Sequence, residues 1–550
     1  MNKILLFSLC CTLLFIAGCD EYIDTTPTDR LSDKIVWGNI NYVTSYNNTF
    51  YAYIDRYGLF SSPSQFGGKL TEGLTETLKY GSNVAGEGDA NNYVLDPARI
   101  SPDQNLLGTW AATYERIRRV NEFLVNLQQF GSFDAATSRL FEAQARFFRA
   151  YLYFQLAKRH CDGNKHGVIL YTDLNFQKSK PCASAEETWN LIESDLDFAA
   201  ENLPESWDAA NEGRLTKGAV YAFKSRAMLY AERWQSVKNA ADAVFALNKY
   251  ALTANYADAW KGSNSESILE YKYLRTGPNH NFDLKYATYG EVADQGGAAG
   301  PTQEMVEAYE KADGTSVDWT PWHNTEGTTA QPPYSQLEPR FQATVIYSGC
   351  TWQGKIMQNS VNGVNGQYME YRAEAYPKGR TVTGYYLRKL RDESFTQLLQ
   401  YASSQTLVEI RLAEVYLNRA EAEYRLNNPA GALSDINAIR ARVNLPSKSG
   451  LTGDALFTAI RQERKIELAY EGHLYWDMRR WHLADKDYPT GYNNYRVHGL
   501  KISGTAGSYT YQYVDCDKED RKFLERIYVL PIPSTELNNN TGAEQYEEWR

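Results

Sequence analysis

Residues 406–443, TLVEIRLAEVYLNRAEAEYRLNNPAGALSDINAIRARV, decide the fold of this chain. Apolar residues recur at helical spacing on both sides of Asn428-Pro429, a pair that ends one helix and starts the next. Thr406 and Glu409 have the spacing of a capping box, which predicts the start of the first helix. The two apolar stripes are Ile410, Ala413, Leu417, Ala420 and Tyr424, and then Ala432, Ile436, Ile439 and Val443. The stretch therefore predicts two antiparallel helices joined by a short turn.

The same helical pattern occurs elsewhere in the chain. It predicts helices over 139–158, 183–202, 215–233, 236–247 and 454–470. Ser184 and Glu187 form a second capping-box pattern, and Gly472 suits the end of the last helix. Alanine-rich contacts and short turns resemble those of tetratricopeptide repeats, although no fixed period is evident. We expect a mainly α fold with a tetratricopeptide-repeat-like helical scaffold.

Residues 261–400 differ in character, because they are rich in Gly, Asn, Pro and aromatic residues. Short alternating runs such as 341–346 predict small strands between long loops. Loops of this length are uncommon in compact proteins unless they carry function. This loop-rich, partly β insertion is therefore the expected ligand-binding region.

The start of the chain has the pattern of a lipoprotein signal. Lys3 precedes an apolar run over 4–16, and Ala17-Gly18 stand directly before Cys19. The run is too short to span a bilayer, so we expect cleavage and lipidation at Cys19. An ordinary secretory signal with a chance cysteine is the alternative. The predicted organisation is a signal peptide (1–18), a lipidated tether (19–36), an N-terminal helical region (37–260), the loop-rich region (261–400) and a C-terminal helical region (401–550).

Charge and cysteine content exclude some functions. The net charge is −10 and no basic stripe occurs, which argues against nucleic acid as a partner. Cys161 and Cys182 could form a disulfide in an exported protein. Sequence alone does not establish which of the four cysteines Cys161, Cys182, Cys350 and Cys516 are paired. A zinc site of His160, Cys161, His166 and Cys182 fits no common spacing, so we expect neither a metal nor a cofactor.

Several motifs resemble those of the SusD/RagB-like outer-membrane lipoproteins. Residues 411–422, RLAEVYLNRAEA, resemble the R-x-A-E-x-Y-L-x-x-A-E-A helix of that family, and 435–442 resemble its next helix. Glu463 to Leu468 with Glu471-Gly472 and Asp477 to Arg480 resembles the E-R-x-x-E-L-x-x-E-G…D-x-x-R motif. Residues 530–538 resemble the closing L-P-I-P-x-x-E…N, and 145–150, 214–219 and 338–340 also fit. Gln144, the 161–168 segment and the last ten residues depart from the family pattern.

The resemblance implies a surface-exposed, lipid-anchored protein of the outer membrane. Members of this family cover a SusC-like TonB-dependent barrel, bind a nutrient that is most often a glycan, and hinge to deliver it. They have no catalytic role. The acidic Asp20-Glu21 after the lipid cysteine also resembles the signal that directs such lipoproteins to the cell surface.

Two acidic groups could be mistaken for active or metal sites. Glu463, Glu467 and Glu471 share one helical stripe, so an ion-pair network with nearby arginines fits better than a glycosidase pair, which needs carboxylates across a cleft. Asp515, Asp517 and Asp520 lack the glycine and the distant Glu of an EF-hand, which indicates a solvated acidic turn. Neither a nucleophile elbow nor a phosphate loop occurs.

Candidate ligand contacts are aromatic residues in non-helical segments, with polar neighbours that can bind hydroxyl groups. The family places a sugar-stacking ring near the position of Tyr80. The predicted ligand-binding residues are Lys79, Tyr80, Asn91, Asn92, Tyr286, Tyr289, Trp319 and Trp322. For each Trp, burial as a loop anchor is the alternative.

The sequence leaves three other functions open. A peptide-binding lid of the RagB type shares the same motifs, and it would need a deep cavity with groups that pair with a peptide backbone. A surface glycoside hydrolase would need two carboxylates facing each other across a cleft, about 5–10 Å apart. A purely structural subunit would lack clustered exposed aromatic residues.

Overall fold

A computed structural model describes residues 33–54, 70–81, 93, 95–105, 107–175, 177–293, 295–371 and 379–550. Cys19, Asn91, Asn92, the predicted signal 1–18 and the tether up to residue 32 lie outside these ranges, so the predictions for them stay predictions. Within the described ranges, each helix is too short or too polar to cross a bilayer.

Helices make up most of the regular structure. In chain order they are α1 (Asp33–Trp37), α2 (Ile40–Tyr51), α3 (Trp110–Phe130), α4 (Ala135–His160), α5 (Ala185–Asn202), α6 (Lys217–Tyr230), α7 (Trp234–Ala246), α8 (Phe282–Lys285), α9 (Gln303–Glu307), α10 (Pro339–Thr344), α11 (Leu412–Arg425), α12 (Pro429–Arg442), α13 (Gly453–Glu467), α14 (Leu474–Arg480) and α15 (Ser534–Asn539).

The strands are short and occur only as pairs within the described ranges. They are β1 (Leu78–Tyr80), β2 (Ser267–Tyr271), β3 (Ala299–Pro301), β4 (Val345–Ile346), β5 (Thr351–Trp352), β6 (Lys355–Ile356), β7 (Tyr386–Leu387), β8 (Leu407–Arg411), β9 (His498–Thr505) and β10 (Ser508–Asp515). The antiparallel pairs are β1 with β3, β2 with β8, β4 with β7, β5 with β6, and β9 with β10.

Successive helices pack as hairpins, with α4 against α5, α6 against α7, and α11 against α12. The helix predicted over 139–158 is confirmed as the central part of α4. Its Arg149 joins α4 to α5 through two hydrogen bonds to Asp195, at 2.7 and 2.8 Å. Ala219 and Ala222 of α6 are buried, and their small side chains allow neighbouring helices to approach closely.

Two predicted helix starts are confirmed by their caps. The side chain of Ser184 accepts a hydrogen bond from the Glu187 amide at 3.1 Å, and Glu187 reaches back to the Ser184 amide at 2.8 Å. Before α12, the Asn428 side chain accepts from the Gly431 amide at 3.2 Å, and Pro429 occupies the first turn. Each cap satisfies amide groups that lack an acceptor inside the helix.

The capping box predicted at Thr406 and Glu409 is wrong. Residues Leu407–Arg411 form β8, which pairs with β2, and α11 begins only at Leu412. The Glu409 carboxylate accepts a hydrogen bond from Arg226 Nη1 at 2.5 Å instead of folding back on its own chain. Strand pairing and an ion pair with a distant helix therefore prevail over the local capping signal.

In the described residues of the 261–400 region, the helices and strands from β2 to β7 are only two to six residues long. A longer element follows much later in the chain, where β9 and β10 form a hairpin of two eight-residue strands. Gly507 lies in its turn with φ of +88°. This hairpin was not predicted, and it positions part of the candidate site described below.

A buried ion-pair network joins α13 to the rest of the C-terminal region. Glu467 Oε1 lies 2.6 Å from Arg411 Nη1, and its Oε2 lies 3.2 Å from Arg340 Nη1. Arg442 also donates to Glu467. Burial by itself would raise the pKa of Glu467, but the arginine charges hold it well below its ordinary value. The structural interpretation of Glu463, Glu467 and Glu471 is confirmed.

Candidate functional site

Two of the predicted ligand contacts, Lys79 and Tyr80, lie on β1 beneath the surface. Tyr80 is 1% exposed, and its hydroxyl donates to the Leu70 carbonyl at 2.7 Å. Lys79 is fully buried, with Nζ 2.6 Å from Asp517 Oδ1 and 3.9 Å from the centre of the Tyr371 ring. In this structure neither side chain offers a surface to a ligand in solvent.

The partner of Lys79 corrects the prediction of a solvated acidic turn. The Asp517 side chain is fully buried between Lys79 and Arg521, with Arg521 Nε 2.7 Å away. Burial alone would raise the pKa of Asp517, but these two cations lower it to about 2. Asp515 and Asp520 are exposed and pair with Arg496. One of the three aspartates, Asp517, is therefore structural, and the other two are solvated as predicted.

Tyr286 and Trp319 are also buried, at 1% and 5% exposure. Tyr286 packs against Phe282 with ring centres 4.6 Å apart, and Trp319 meets Trp322 edge-on at 5.5 Å. These positions match the interpretation of the rings as loop anchors. Trp319 still belongs to the candidate site indirectly, because it supports Trp322.

Tyr289 and Trp322 are half-buried and keep part of their rings at the surface. The Arg380 guanidinium lies 4.4 Å from the Tyr289 ring centre. Trp322 is oriented by a hydrogen bond from its Nε1 to the Ala330 carbonyl, at 2.9 Å. Of the predicted residues that the structure describes, these two retain partly accessible rings.

Five rings form a line, here called the aromatic row. They are His323, which follows Trp322 in sequence, then Tyr488 and Tyr495, and finally His498 and Tyr513 on the β9–β10 hairpin. Tyr488 and Tyr495 stack with centres 4.0 Å apart at 15°, and His498 and Tyr513 stack at 4.3 Å and 15°. His498 joins the two stacks through an edge contact with Tyr495 at 5.5 Å, and His323 extends the row 4.7 Å from Tyr513. None of the five is fully buried.

Hydrogen bonds along both edges of the hairpin fix the row in place. The Tyr513 amide donates to the Asn324 carbonyl at 3.0 Å, which holds His323 beside Tyr513. Thr328 and Tyr511 exchange two bonds of 2.8 Å on the same edge, while the Leu500 amide donates to Thr383 at 2.9 Å on the other. His498 and Tyr513 share a face because Tyr513 lies opposite Leu500, two residues beyond His498.

Carboxylates from α9 orient the polar edges of the row. Glu304 Oε1 accepts from His498 Nδ1 at 2.7 Å and from the Tyr495 hydroxyl at 3.1 Å. Glu307 Oε1 accepts from His323 Nε2 at 2.7 Å. Burial, followed by the charge of Glu304, raises the pKa of the Tyr495 and Tyr513 hydroxyls. Both phenols therefore remain protonated hydrogen-bond donors at neutral pH.

The row was missed because its members are far apart in sequence. His323 lies in the loop-rich region 261–400, whereas the other four follow the helix α14. The alternation of Tyr509, Tyr511 and Tyr513 is the signal that could have indicated a strand with aromatic faces. No local pattern could have placed Tyr513 beside His323.

The row combines ring faces with polar groups at their edges. Its rings offer flat apolar faces, and its hydroxyls, imidazoles and carboxylates provide hydrogen bonds at their edges. Glu304 and Glu307 lie one turn apart on α9, so they approach the row from one side. A glycosidase pair would have to flank a bond from two sides.

Among the described residues, His160, Cys161, His166 and Cys182 do not form a group with metal-like spacing, in line with the sequence argument against a zinc site. His160 Nδ1 lies 2.8 Å from the Leu530 carbonyl, and Cys161, Cys182, Cys350 and Cys516 are free thiols. In the part of the chain that the structure describes, one group has metal-like spacing, namely His166 with Glu547 and Glu548. Lys165 already forms ion pairs with both of these carboxylates.

The scaffold is mainly helical, and it presents partly accessible rings with hydrogen-bonding edges. A model of the SusD family matches residues 265–549, and a second one, described as starch-binding and associating with the outer membrane, matches 65–229. The first match covers more than half of the chain. The chain belongs to the SusD family.

Relatives and solved structures agree with this assignment. A SusD-like protein of Formosa agariphila is 24% identical over 432 residues, covering 72% of this chain and 79% of the relative. A SusD-like protein from Bacteroides fragilis is 26% identical with a TM-score of 0.77, covering 95% and 99% of the two chains. A SusD-like carbohydrate binding protein from the same species is 24% identical with a TM-score of 0.74, covering 92% and 99%. The predicted mainly α, SusD-like fold is confirmed.

Proposed function

We propose that this protein binds an oligosaccharide on the aromatic row and its neighbours Trp322 and Tyr289. The observation that carries the proposal is the pair of near-parallel ring stacks, Tyr488 with Tyr495 and His498 with Tyr513. A starch-binding description of the matching family model, and a carbohydrate-binding structural relative, support glycan as the ligand class.

Sugar rings have an apolar face of C–H groups and a rim of hydroxyls, so they complement such a surface. The faces of Tyr488 and Tyr513 would pack against sugar faces, while the Tyr495 hydroxyl and the imidazoles bind hydroxyl groups. Because Glu304 and Glu307 already hold these groups in place, little side-chain entropy is lost on binding. The predicted contacts Asn91 and Asn92 stay part of the hypothesis.

The captured glycan would be passed to a SusC-like TonB-dependent barrel in the outer membrane. In this proposal the protein is anchored through lipid on Cys19, faces the cell exterior and acts as a lid without cleaving its ligand. The family resemblance and the lipoprotein pattern at 15–19 support these steps. Purification of the tagged full chain from membranes of glycan-grown cells tests the partnership, and a large TonB-dependent barrel should co-purify with it. A preparation without such a barrel would contradict the proposed partnership.

Binding by the row is tested with the purified full chain, a glycan array and calorimetry using maltooligosaccharides and the best array ligand. Tyr513→Ala and Tyr495→Ala should each weaken binding about tenfold, because the first removes a stacking contact and the second removes a hydroxyl that binds the sugar. Tyr42→Ala is the matched control, since Tyr42 is 43% exposed and lies on α2. The control should bind like the wild type.

Three outcomes would contradict the proposal. Unchanged affinity in both row variants would place the site elsewhere, and preferential binding of a peptide library would favour the RagB-type alternative. Release of new reducing ends from the bound glycan would favour a hydrolase. Testing Tyr80→Ala, Trp319→Ala and Trp322→Ala in the same assay separates direct contacts from buried supports, because only Trp322 has a partly accessible ring among the three.

A further inference from the structure

A small cavity lies where the C-terminal end of α4 meets α14 and the segment around Tyr528. Its volume is about 20 Å³, and Lys158, Asp162, Tyr230, Trp476, Arg479 and Tyr528 are among its lining residues. A volume of about 10–15 Å³ is enough to hold one water molecule, so the cavity suits a single small occupant.

Cations crowd this cavity around the ring of Trp476. Lys158 Nζ lies 4.9 Å from the ring centre, and the Arg479 guanidinium carbon also lies 4.9 Å from it. Arg480 lines the same cavity. The face of an indole ring attracts cations, but it cannot neutralise several of them together.

Arg479 has donors that point to no acceptor among the described residues. The residue is 4% exposed, and its Nη2 donates to the carbonyls of Ile527 and Tyr528, each at 2.8 Å. Its Nε and Nη1 are buried and have no hydrogen-bond partner there. Buried guanidinium donors are normally satisfied, because leaving a charge unpaired in the interior is costly.

The nearby carboxylates are already engaged by other groups. Asp162 Oδ1 lies 3.0 Å from His482 Nε2, and Arg480 pairs with Glu421 and Asp477. Glu409, whose charge also acts on Lys158, is bound to Arg226. Across the described ranges, no ion pair involves Lys158 or Arg479. Burial, and then the neighbouring Arg159 charge, lowers the pKa of Lys158.

We propose that this cavity binds one small monovalent inorganic anion of halide size, held by Lys158 Nζ and by Nε and Nη1 of Arg479. The anion would satisfy the two donors of Arg479 and offset the charge around Trp476. It would also join α4, α14 and the segment before Leu530, because all three supply lining residues. The role is structural, and it is independent of the proposed glycan site.

The test uses crystals of the full chain grown or soaked in sodium bromide, with data collected at the bromine absorption edge. An anomalous peak in the cavity within hydrogen-bond distance of Arg479 is the expected result. In parallel, the thermal midpoint is measured in sodium chloride, bromide and gluconate at equal ionic strength. Halide should raise it by about 2 °C relative to gluconate, since a ligand that binds only the folded state stabilises it.

Lys158→Met should abolish the difference between halide and gluconate, while Lys272→Met should keep it, because Lys272 is 49% exposed and remote from the cavity. If Lys158→Met does not fold, the bromide map of the wild type decides alone. A cavity that shows no anomalous peak, or contains only water at high bromide, overturns the proposal. Equal midpoints for wild type in halide and gluconate overturn it as well.

Discussion

At the scale of single residues, the charge of Glu467 determines how the C-terminal region is held together. Arg340, Arg411 and Arg442 converge on this one buried carboxylate. Each arginine comes from a different element, so the carboxylate connects α10, β8 and α12 to α13. Buried charges of this kind are tolerated only when every partner is present.

Replacing Glu467 with Gln should lower the free energy of unfolding by about 3–5 kcal/mol, since it leaves buried guanidinium charge uncompensated. Urea unfolding followed by circular dichroism measures the change. Glu205→Gln is the control, because Glu205 is 54% exposed and its contact with Lys249 is long, at 3.7 Å. A loss of under about 1 kcal/mol in Glu467→Gln, the size expected of a surface pair, would contradict this account.

At the scale of elements, the β9–β10 hairpin needs close backbone contact with the 383–384 turn. Gly384 has φ of +89°, and a Cβ built there would lie 2.3 Å from the Leu500 carbonyl oxygen. A Cβ on Gly499 would similarly lie 2.4 Å from the Thr383 oxygen. Two glycines facing each other therefore allow the hairpin to dock, and docking brings His498 and Tyr513 into the aromatic row.

Gly384→Ala should destabilise the protein by about 2 kcal/mol or more and weaken glycan binding, because it adds a backbone clash to the conformational penalty. Gly507→Ala is the matched control. Its φ of +88° is similar, but nothing lies within 4 Å of its Cβ, so only the conformational cost of about 1 kcal/mol applies. Equal thermal midpoints and affinities for the two variants would show that the close contact has no effect.

At the scale of the whole molecule, buried charges make stability depend on pH. The pKa of Glu471 would be raised by burial, but Arg411 and Lys389 lower it to about 2, the value also reached by Asp517. A carboxylate with a depressed pKa in the folded state stabilises the fold above its unfolded pKa of about 4. That contribution is lost as pH falls toward 2. Burial also lowers the pKa of His473 to about 4, below its ordinary value. This histidine therefore also makes the folded state less stable as pH falls.

The free energy of unfolding should therefore fall by several kcal/mol between about pH 4.5 and pH 2, as each unit of pKa shift corresponds to about 1.4 kcal/mol. Urea unfolding at pH 7, 4.5 and 3 measures this. Glu471→Gln should make the slope shallower, whereas Asp515→Asn should leave it unchanged, because Asp515 is 54% exposed. A constant free energy of unfolding down to pH 3 would contradict the assigned shifts.

Helices were the part of the fold that the sequence could predict, because the signals that specify a helix lie close together in the chain. The pattern in 139–158 and the cap at Ser184 depend on residues a few positions apart, and both are confirmed. The capping pattern of Thr406 and Glu409 gave a wrong prediction because these residues lie at β8. This strand pairs with β2, about 140 residues earlier in the chain, and is not the start of a helix. Contacts between distant residues also explain why the sequence did not predict the aromatic row or the burial of Lys79. Tyr513 contacts His323, and Lys79 contacts Asp517, only in the folded chain.

The aromatic row takes its rings from residue 323, from residues 488 and 495, and from a hairpin that ends at Asp515, while carboxylates of α9 hold their polar edges. Removing β10 would remove Tyr513, so His498 and His323 would lose the ring that both of them contact.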